Sequence, residues 1–450
     1  MRSLSRHRRV LTGAVFVTLT GIVGARAWQP RGNSSLTHAA GKTADTHDAF
    51  SADLSSTEML DADIAFYGER VAADPSSAGD HAKLAALFLE RVRVSGSQED
   101  AMRAEQAART SLAARTKHNG AALALLASSL LEQHRFIDAR EAARQLVAHD
   151  SVVVGHRALL AEIELELGNY DEAARLFGAL QAHWRDLAVA PRVARWMEIR
   201  GGVQHARQML AMALKDAIAD SYLPRSQVAW FHYRLGDFEL RYGRHEQARA
   251  ALAAGLKLAP GDYRLLGSMA GLEAAEQRWD NAIEYAGRSV AVFPDPAVLG
   301  LLSNAYLALG DTGKSSEFAR AMAVLSLGQP GAIHRTWSAF WLDRGEHVEE
   351  VLVRAQEEGK ARRDIYGDDV LAWALHKTGR HADAKVAMAR ALVQGVRDPS
   401  ILFHAATISY ALGDTAESCV YLHEVLVSNP RFLQRPVRAT PQCSISSSER

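Results

Sequence analysis

Between residues 229 and 294 the chain states one pattern of apolar and small positions twice. The first copy places His232, Leu235, Gly236, Gly243, Ala248, Leu252 and Leu256 before Pro260. The second places Leu266, Met269, Ala270, Gln277, Trp279, Ala282, Ala286 and Val290 before Pro294. Ala248 to Ala282 and Pro260 to Pro294 are each 34 residues. Within each copy the apolar residues recur at i, i+3, i+4 and i+7, break at a turn, resume, and stop at proline, which is the signature of two amphipathic helices joined by a short turn. Such a pair cannot bury both of its apolar faces alone, so it has to stack on neighbours. The pattern extends in both directions. Leu123, Leu126, Leu130, Phe136, Ala139 and Leu146 form one copy, and Leu160, Gly168, Tyr170, Ala173, Phe177 and Leu180 the next. After Gly243 the turns fall at Gln277, Gly310, Gly345, Gly379 and Gly413, at steps of 34, 33, 35, 34 and 34.

These residues resemble the tetratricopeptide-repeat family. The resemblance lies in Leu, Gly or Ala and an aromatic on the first helix, then Gly, an aromatic, Ala, a bulky residue, Ala and Pro across the second. It implies an all-α fold, a right-handed α-solenoid of about ten stacked helix-turn-helix repeats that binds other proteins. The reading divides the chain into a leader at 1–27, a tether at 28–55, a capping helix at 56–75, the solenoid at 76–432 and a tail at 433–450. Some places depart from the pattern. The hinge at residues 94–98 is longer than the usual turn. An insertion at 216–226 puts Gly243 42 residues after Gly201 and reads as a lengthened helix plus linker. Trp337 and Trp341 occupy core positions of the eighth repeat. The segment after Leu433 has no amphipathic pattern, so the last repeat needs some other cover, whether a partner or a second copy of the protein.

Charge and cysteine content narrow the setting. The 52 basic and 52 acidic residues cancel, which argues against a nucleic-acid binder that relies on neutralising phosphates. Residues 1–27 contain five arginines and no acid, then an uncharged apolar run at 10–25 and the small-x-small site Ala25-Arg26-Ala27. That layout reads as an export signal, or as an anchor if it is not cleaved. It leads to an expectation of export in a bacterium, to the periplasm or the outer face of the inner membrane, with membrane anchoring through residues 10–25. Cys419 and Cys443 are the only cysteines. They could pair in an exported protein, but a small buried thiol and a separate tail thiol is the preferred reading.

No catalytic chemistry emerges. The run ending in Gly313-Lys314-Ser315 satisfies a relaxed phosphate-loop expression, but a helix precedes it where a buried strand is required, so it reads as an inter-helix turn. The 18 histidines include no H-E-x-x-H, and His245, His347 and His381 recur at the aromatic position after a turn. There is no G-x-S-x-G nucleophile motif. The expectation is therefore no catalytic, metal or cofactor site and no enzymatic activity. What the resemblance offers is a concave groove lined by the first helix of each repeat. Mapped onto this chain, its partner-facing residues are Arg195, Trp230, Tyr233, Asp237, Arg264, Asn304, Arg335, Asp369, Trp373 and Tyr410, types in which binding energy concentrates. The Lys-then-Asn pairs by which some relatives clamp chaperone tails are missing. The resulting reading is a non-enzymatic scaffold or assembly factor of the bacterial cell envelope that holds a protein partner's segment in the groove. The alternatives are a structural protein that self-associates through its C-terminal repeat, and an accessory subunit of an envelope polysaccharide or peptidoglycan enzyme.

Overall fold

In a computed structural model, which describes residues 56–327 and 335–434, the described chain is an all-α solenoid: twenty-one α-helices and two short 3-10 turns, with no strand among them. None of the described helices is long and apolar enough to cross a membrane, and residues 1–55, with the leader, tether and anchor readings, lie outside the described part. Two compact units divide the chain between Arg157 and Ala158.

The first unit holds α1 (Ser56–Ala73) and the pairs α2 (Ala78–Ser95) with α3 (Gln98–Ala114) and α4 (Gly120–Glu132) with α5 (Phe136–His149). Its helices meet over small residues: Ala101, Ala104, Ala108, Ala139 and Ala143 are fully buried. Ser77 and Ser97 cap α2 and α3, their hydroxyls accepting from the N–H groups of Asp80 and Asp100 at 3.4 and 3.2 Å, which satisfies donors a helix start otherwise leaves bare. Arg91 reaches Asp100 at 2.7 Å and Asp61 at 2.9 Å, tying α1 to the first pair. The hinge expected at 94–98 is shorter than the sequence implied. α2 continues to Ser95 and only Gly96 and Ser97 separate it from α3.

The second unit begins within α6 (Val154–Glu166), which pairs with the short α7 (Tyr170–Gly178). The remaining pairs are α8 (Ala190–Ile199) with α9 (Val203–Ala219), α10 (Arg225–Arg241) with α11 (His245–Leu258), α12 (Tyr263–Ala275) with α13 (Trp279–Val292), and α14 (Pro296–Ala308) with α15 (Thr312–Leu327). After them come α16 (Arg335–Arg344) with α17 (Val348–Ala361), α18 (Ile365–Lys377) with α19 (His381–Ala391), and α20 (Pro399–Ala411) with α21 (Thr415–Ser428). The sequence insertion lengthens α9 and its connector, and Tyr222 on it is 74% exposed. Asp262, Asp295, Asp364 and Asp398 cap α12, α14, α18 and α20, each carboxylate accepting from backbone N–H groups in the first turn. Trp337 and Trp341 are buried, as their spacing implied. The phosphate-loop-like run is the α14–α15 turn, with Lys314 lying 4.8 Å over the Tyr306 ring.

This unit also coils back on itself. The turns of three early pairs pack against linkers nearly two hundred residues later. A Cβ on Gly168 would lie 1.8 Å from the Arg363 carbonyl oxygen, one on Gly201 would lie 2.2 Å from the Gly395 carbonyl oxygen, and one on Gly243 2.2 Å from Asn429 Oδ1. The Ile365 N–H donates to the Tyr170 hydroxyl at 2.7 Å, and Asn429 Nδ2 donates to the Arg241 carbonyl at 2.9 Å. At the last repeat, Phe432 tucks into a buried cluster with Phe403, Leu402, Leu422 and Val425, with Leu433 packed beside it. The C-terminal face expected to be open is thus partly closed by the chain's own next turn. Cys419 is disulfide-bonded, which corrects the preferred reading of two free thiols; Cys443, the other cysteine, lies outside the described residues.

The self-contact predicts a difference between two glycines of like backbone. Gly168 and Gly310 both close a repeat turn in the left-handed region, at φ 78° and 83°, but nothing lies within 4 Å of a Cβ on Gly310. Gly310→Ala should cost only the left-handed strain, about 1 kcal/mol. Gly168→Ala must in addition push Arg363 away, about 2 kcal/mol more, and should lower the melting midpoint by roughly 4 °C or more relative to Gly310→Ala. Differential scanning calorimetry of both variants checks it; equal melting points would mean the turns do not touch.

Candidate protein-interaction cleft

The ten residues mapped to the groove from sequence meet three different fates. Arg195, Asp237, Arg264, Arg335 and Asp369 are committed to intramolecular partners. Arg195 pairs with Glu166 at 2.6 Å, Arg264 with Asp262 at 2.6 Å, and Asp237 with Arg241 at 3.2 Å. Arg335 pairs with Asp364, and Asp369 with His404 Nδ1 at 2.8 Å. Trp230 and Trp373 are buried and Tyr233 is partly buried, packed on neighbouring helices. Asn304 and Tyr410 are exposed.

The charges form a continuous chain that joins α6 and α8 to the α17–α18 linker and α16. Arg195, Glu166, Arg362, Asp364 and Arg335 alternate in sign, with Arg362 3.6 Å from Glu166 and 2.8 Å from Asp364. Glu162 and Arg192, both buried, pair beside it at 2.6 Å. Glu198 pairs with Arg241 and accepts from the Tyr242 hydroxyl at 3.1 Å. Burial pushes the Glu198 carboxyl up, but Arg241 and Tyr242 outweigh it and hold it below the usual carboxylate range. A carboxylate surrounded in this way stays ionised, and removing one partner strands a buried charge. These arginines therefore hold the coil together.

A broad cleft opens across four first helices. It has a volume of about 550 Å³ and is lined by Leu240 and Arg241 of α10, Gly271, Ala274 and Ala275 of α12, and Trp279. α14 contributes Ala297, Gly300, Leu301, Asn304, Leu307 and Ala308; α16 contributes Thr336, Ala339, Phe340, Asp343 and Arg344. The cleft exists because its floor lacks bulk. At Gly271 a Cβ would meet nothing closer than 3.4 Å, and at Gly300 it would meet Phe340 at 3.2 Å, so the phenyl lies almost on backbone. Volume and apolar lining of this kind are typical of ligand sites. Asn304 is the one sequence-named residue on the wall, and Trp373 acts behind it, donating its indole N–H to Asp343 at 3.2 Å. The missed residues had a visible signal: beside the core stripe a second one at i, i+3, i+4 and i+7 runs through Ala297, Gly300, Leu301 and Asn304 on α14 and Thr336, Ala339, Phe340 and Asp343 on α16.

Trp373 also sits in an aromatic stack. His404 lies parallel to it at 4.2 Å and His376 at 5.0 Å, with His381 4.8 Å from His376. Burial, followed by the neighbouring His381, Lys377 and His404, pushes the His376 imidazole down to about 4.

Residues 124–186 match the family described as Tetratricopeptide repeat. No curated protein matches the sequence. Among solved structures, the Cut9–Hcn1 hetero-tetramer of APC/C is similar at 12% identity over 85% of this chain and 92% of that one, with a TM-score of 0.32. A tetratricopeptide repeat protein from Parabacteroides merdae ATCC 43184 is 14% identical over 65% and 97%, TM-score 0.34. The human IFIT1 dimer with PPP-AAAA is 14% identical over 84% and 96%, TM-score 0.34. Likeness this distant fixes neither the path of the solenoid nor a ligand.

The histidine stack gives a pH dependence of definite sign. His376 titrates lower in the folded chain than its ordinary 6.5, so the unfolded chain takes the proton first. Its contribution is fully present above pH 6.5 and is lost as pH falls toward 4. His376→Gln should reduce the loss of melting temperature between pH 6.5 and 4.5; an unchanged pH profile would show that His376 is not the group responsible.

Proposed function

We propose that this chain, a tetratricopeptide-repeat protein, is a scaffold that holds a segment of a partner protein in the cleft across α10, α12, α14 and α16. The observation that carries the reading is the cleft itself: much of the inner polar surface is spent on the coil's own ion pairs, while this apolar trough is left open. Solenoids of this type generally bind protein partners, and a volume of about 550 Å³ accommodates several side chains of one.

The work takes place in the bacterial cell envelope. Two features support that placement: the export-signal layout of residues 1–27, and the disulfide at Cys419, which persists in oxidising compartments and is rare in reducing ones. Self-association is the second reading. It is favoured by Val386 on α19, Val393 in the turn that follows it, and Val420 and Val427 on α21, which are 59 to 70% exposed in the last two repeats.

Gly271→Phe fills the cleft from its floor, at a residue that itself forms no ion pair. The expected outcome is a partner crosslinked to the wild-type protein in its host and reduced at least tenfold with a Gly271→Phe variant of equal melting temperature, as read by quantitative mass spectrometry. Undiminished capture by the variant would overturn the cleft reading. Capture of only the protein itself, abolished by Val420→Asp with Val427→Asp, would replace it with self-association.

A further inference from the structure

The cleft has a largely apolar floor and, at its rim, a cation that no carboxylate among the described residues pairs with. Arg344 ends α16 at the rim, its guanidinium 4.3 Å over the Phe340 ring. It donates to Ser303 Oγ and to Asn304 Oδ1, both at 2.9 Å. Both acceptors are neutral. Among the described residues no carboxylate pairs with Arg344, and its Nε is buried without a hydrogen-bond partner. Burial pushes the guanidinium below its ordinary range, offset only in part by Glu346 at a distance.

The other charged groups on the wall are committed. Arg241 is shared by Glu198 and Asp237, and Asp343 receives the Trp373 indole N–H. A partly buried cation held by neutral groups and stacked on an aromatic ring is costly to leave alone, and with Nη2 donated to Ser303 and Asn304 and Nε buried, Nη1 is the nitrogen left to receive an anion by a charge-assisted hydrogen bond. Phe340, Ser303 and Asn304 fix the direction of the guanidinium before any ligand arrives.

The length of the trough sets the size of what it takes. Its wall on α14 runs from Ala297 to Ala308, about 16 Å at 1.5 Å per residue, which equals about five residues of extended chain. Leu301, Leu307 and Phe340 supply apolar wall, and the glycine and alanine floor leaves room for branched or aromatic side chains against it.

We propose that the cleft selects an acidic-hydrophobic segment, about five residues of a partner protein in extended form, with Leu, Ile, Met or Phe side chains on the Leu301–Phe340 wall and an Asp or Glu carboxylate on Arg344. This rests on the cleft being the partner site. Arg344 is then the specificity-determining residue: the apolar wall takes many sequences, and the guanidinium rejects those with a cation or no anion at that position.

The test is selection of a random heptapeptide library, displayed with no free C-terminus, on the full chain. Enriched sequences are resynthesised as acetylated, amidated, fluorescein-labelled peptides and titrated by fluorescence anisotropy. The expected result is enrichment of Asp or Glu beside Leu, Ile, Met or Phe. Binding should weaken at least tenfold in Arg344→Gln, partly recover in Arg344→Lys, and vanish in Gly271→Phe. Because Arg344 has no carboxylate partner to strand, Arg344→Gln should melt no lower than wild type; Arg344→Met provides a second neutral variant if it does. Enriched peptides that lack acids and bind Arg344→Gln as well as wild type, yet fail on Gly271→Phe, overturn the acidic selectivity and leave the cleft reading standing. Peptides indifferent to Gly271→Phe, or no enrichment at all, overturn both.

Discussion

A turn resting on a linker nearly two hundred residues away is the constraint on which the second unit depends. An ordinary solenoid touches only its neighbours along the chain, and its stability is a sum of adjacent interfaces. Here Gly168, Gly201 and Gly243 come so close to the later linkers that no side chain fits between. The hydrogen bonds from Ile365 to Tyr170 and from Asn429 to Arg241 supply acceptors and donors that helix ends otherwise leave to water. Closing the coil turns surface into interior, and it explains why so many charges on the inner helices are paired with each other.

That closure decides what remains for a ligand. Arg195, Arg335 and Asp369 are of the types that make binding energy, yet each is spent on an internal partner. The unspent surface lies where the first helices carry glycine and alanine, so that backbones approach and leave a trough instead of a packed ridge. Arg344 stands at its rim because Ser303 and Asn304 hold it by neutral hydrogen bonds. The coil and the cleft thus divide the inner face: charged residues for self-contact, small residues for access.

Much of the architecture was legible in the chain. The 34-residue recurrence of Ala248 with Ala282 and Pro260 with Pro294 places the pairs of helices, since both the helical stripe and the turn glycines are local signals. The phosphate-loop-like run is a turn for the same reason. The site was far less legible. Whether Arg195 meets a ligand or Glu166 depends on how neighbouring repeats are stacked and on a coil that returns after six repeats, and neither is written in a local pattern. The end of the solenoid shows the same limit: nothing in the residues after Leu426 announces that Phe432 will find a pocket with Phe403. Cleft residues such as Gly271 and Gly300 carry a weak signal, small residues beside a core stripe, which an eye drawn to aromatics and arginines passes over.

Hydrogen exchange at the Ile365 amide tests the closed coil most directly. Ile365 opens α18, where an N–H has no intrahelical acceptor, and Asp364 already accepts from Tyr366 and Gly367. Its protection therefore depends on the Tyr170 hydroxyl. The account predicts slow exchange at Ile365 in the wild type and fast exchange in Tyr170→Phe, with the rest of α18 unchanged. Free exchange at Ile365 in the wild type would contradict it, because the turns would then not meet and the inner face would stand open.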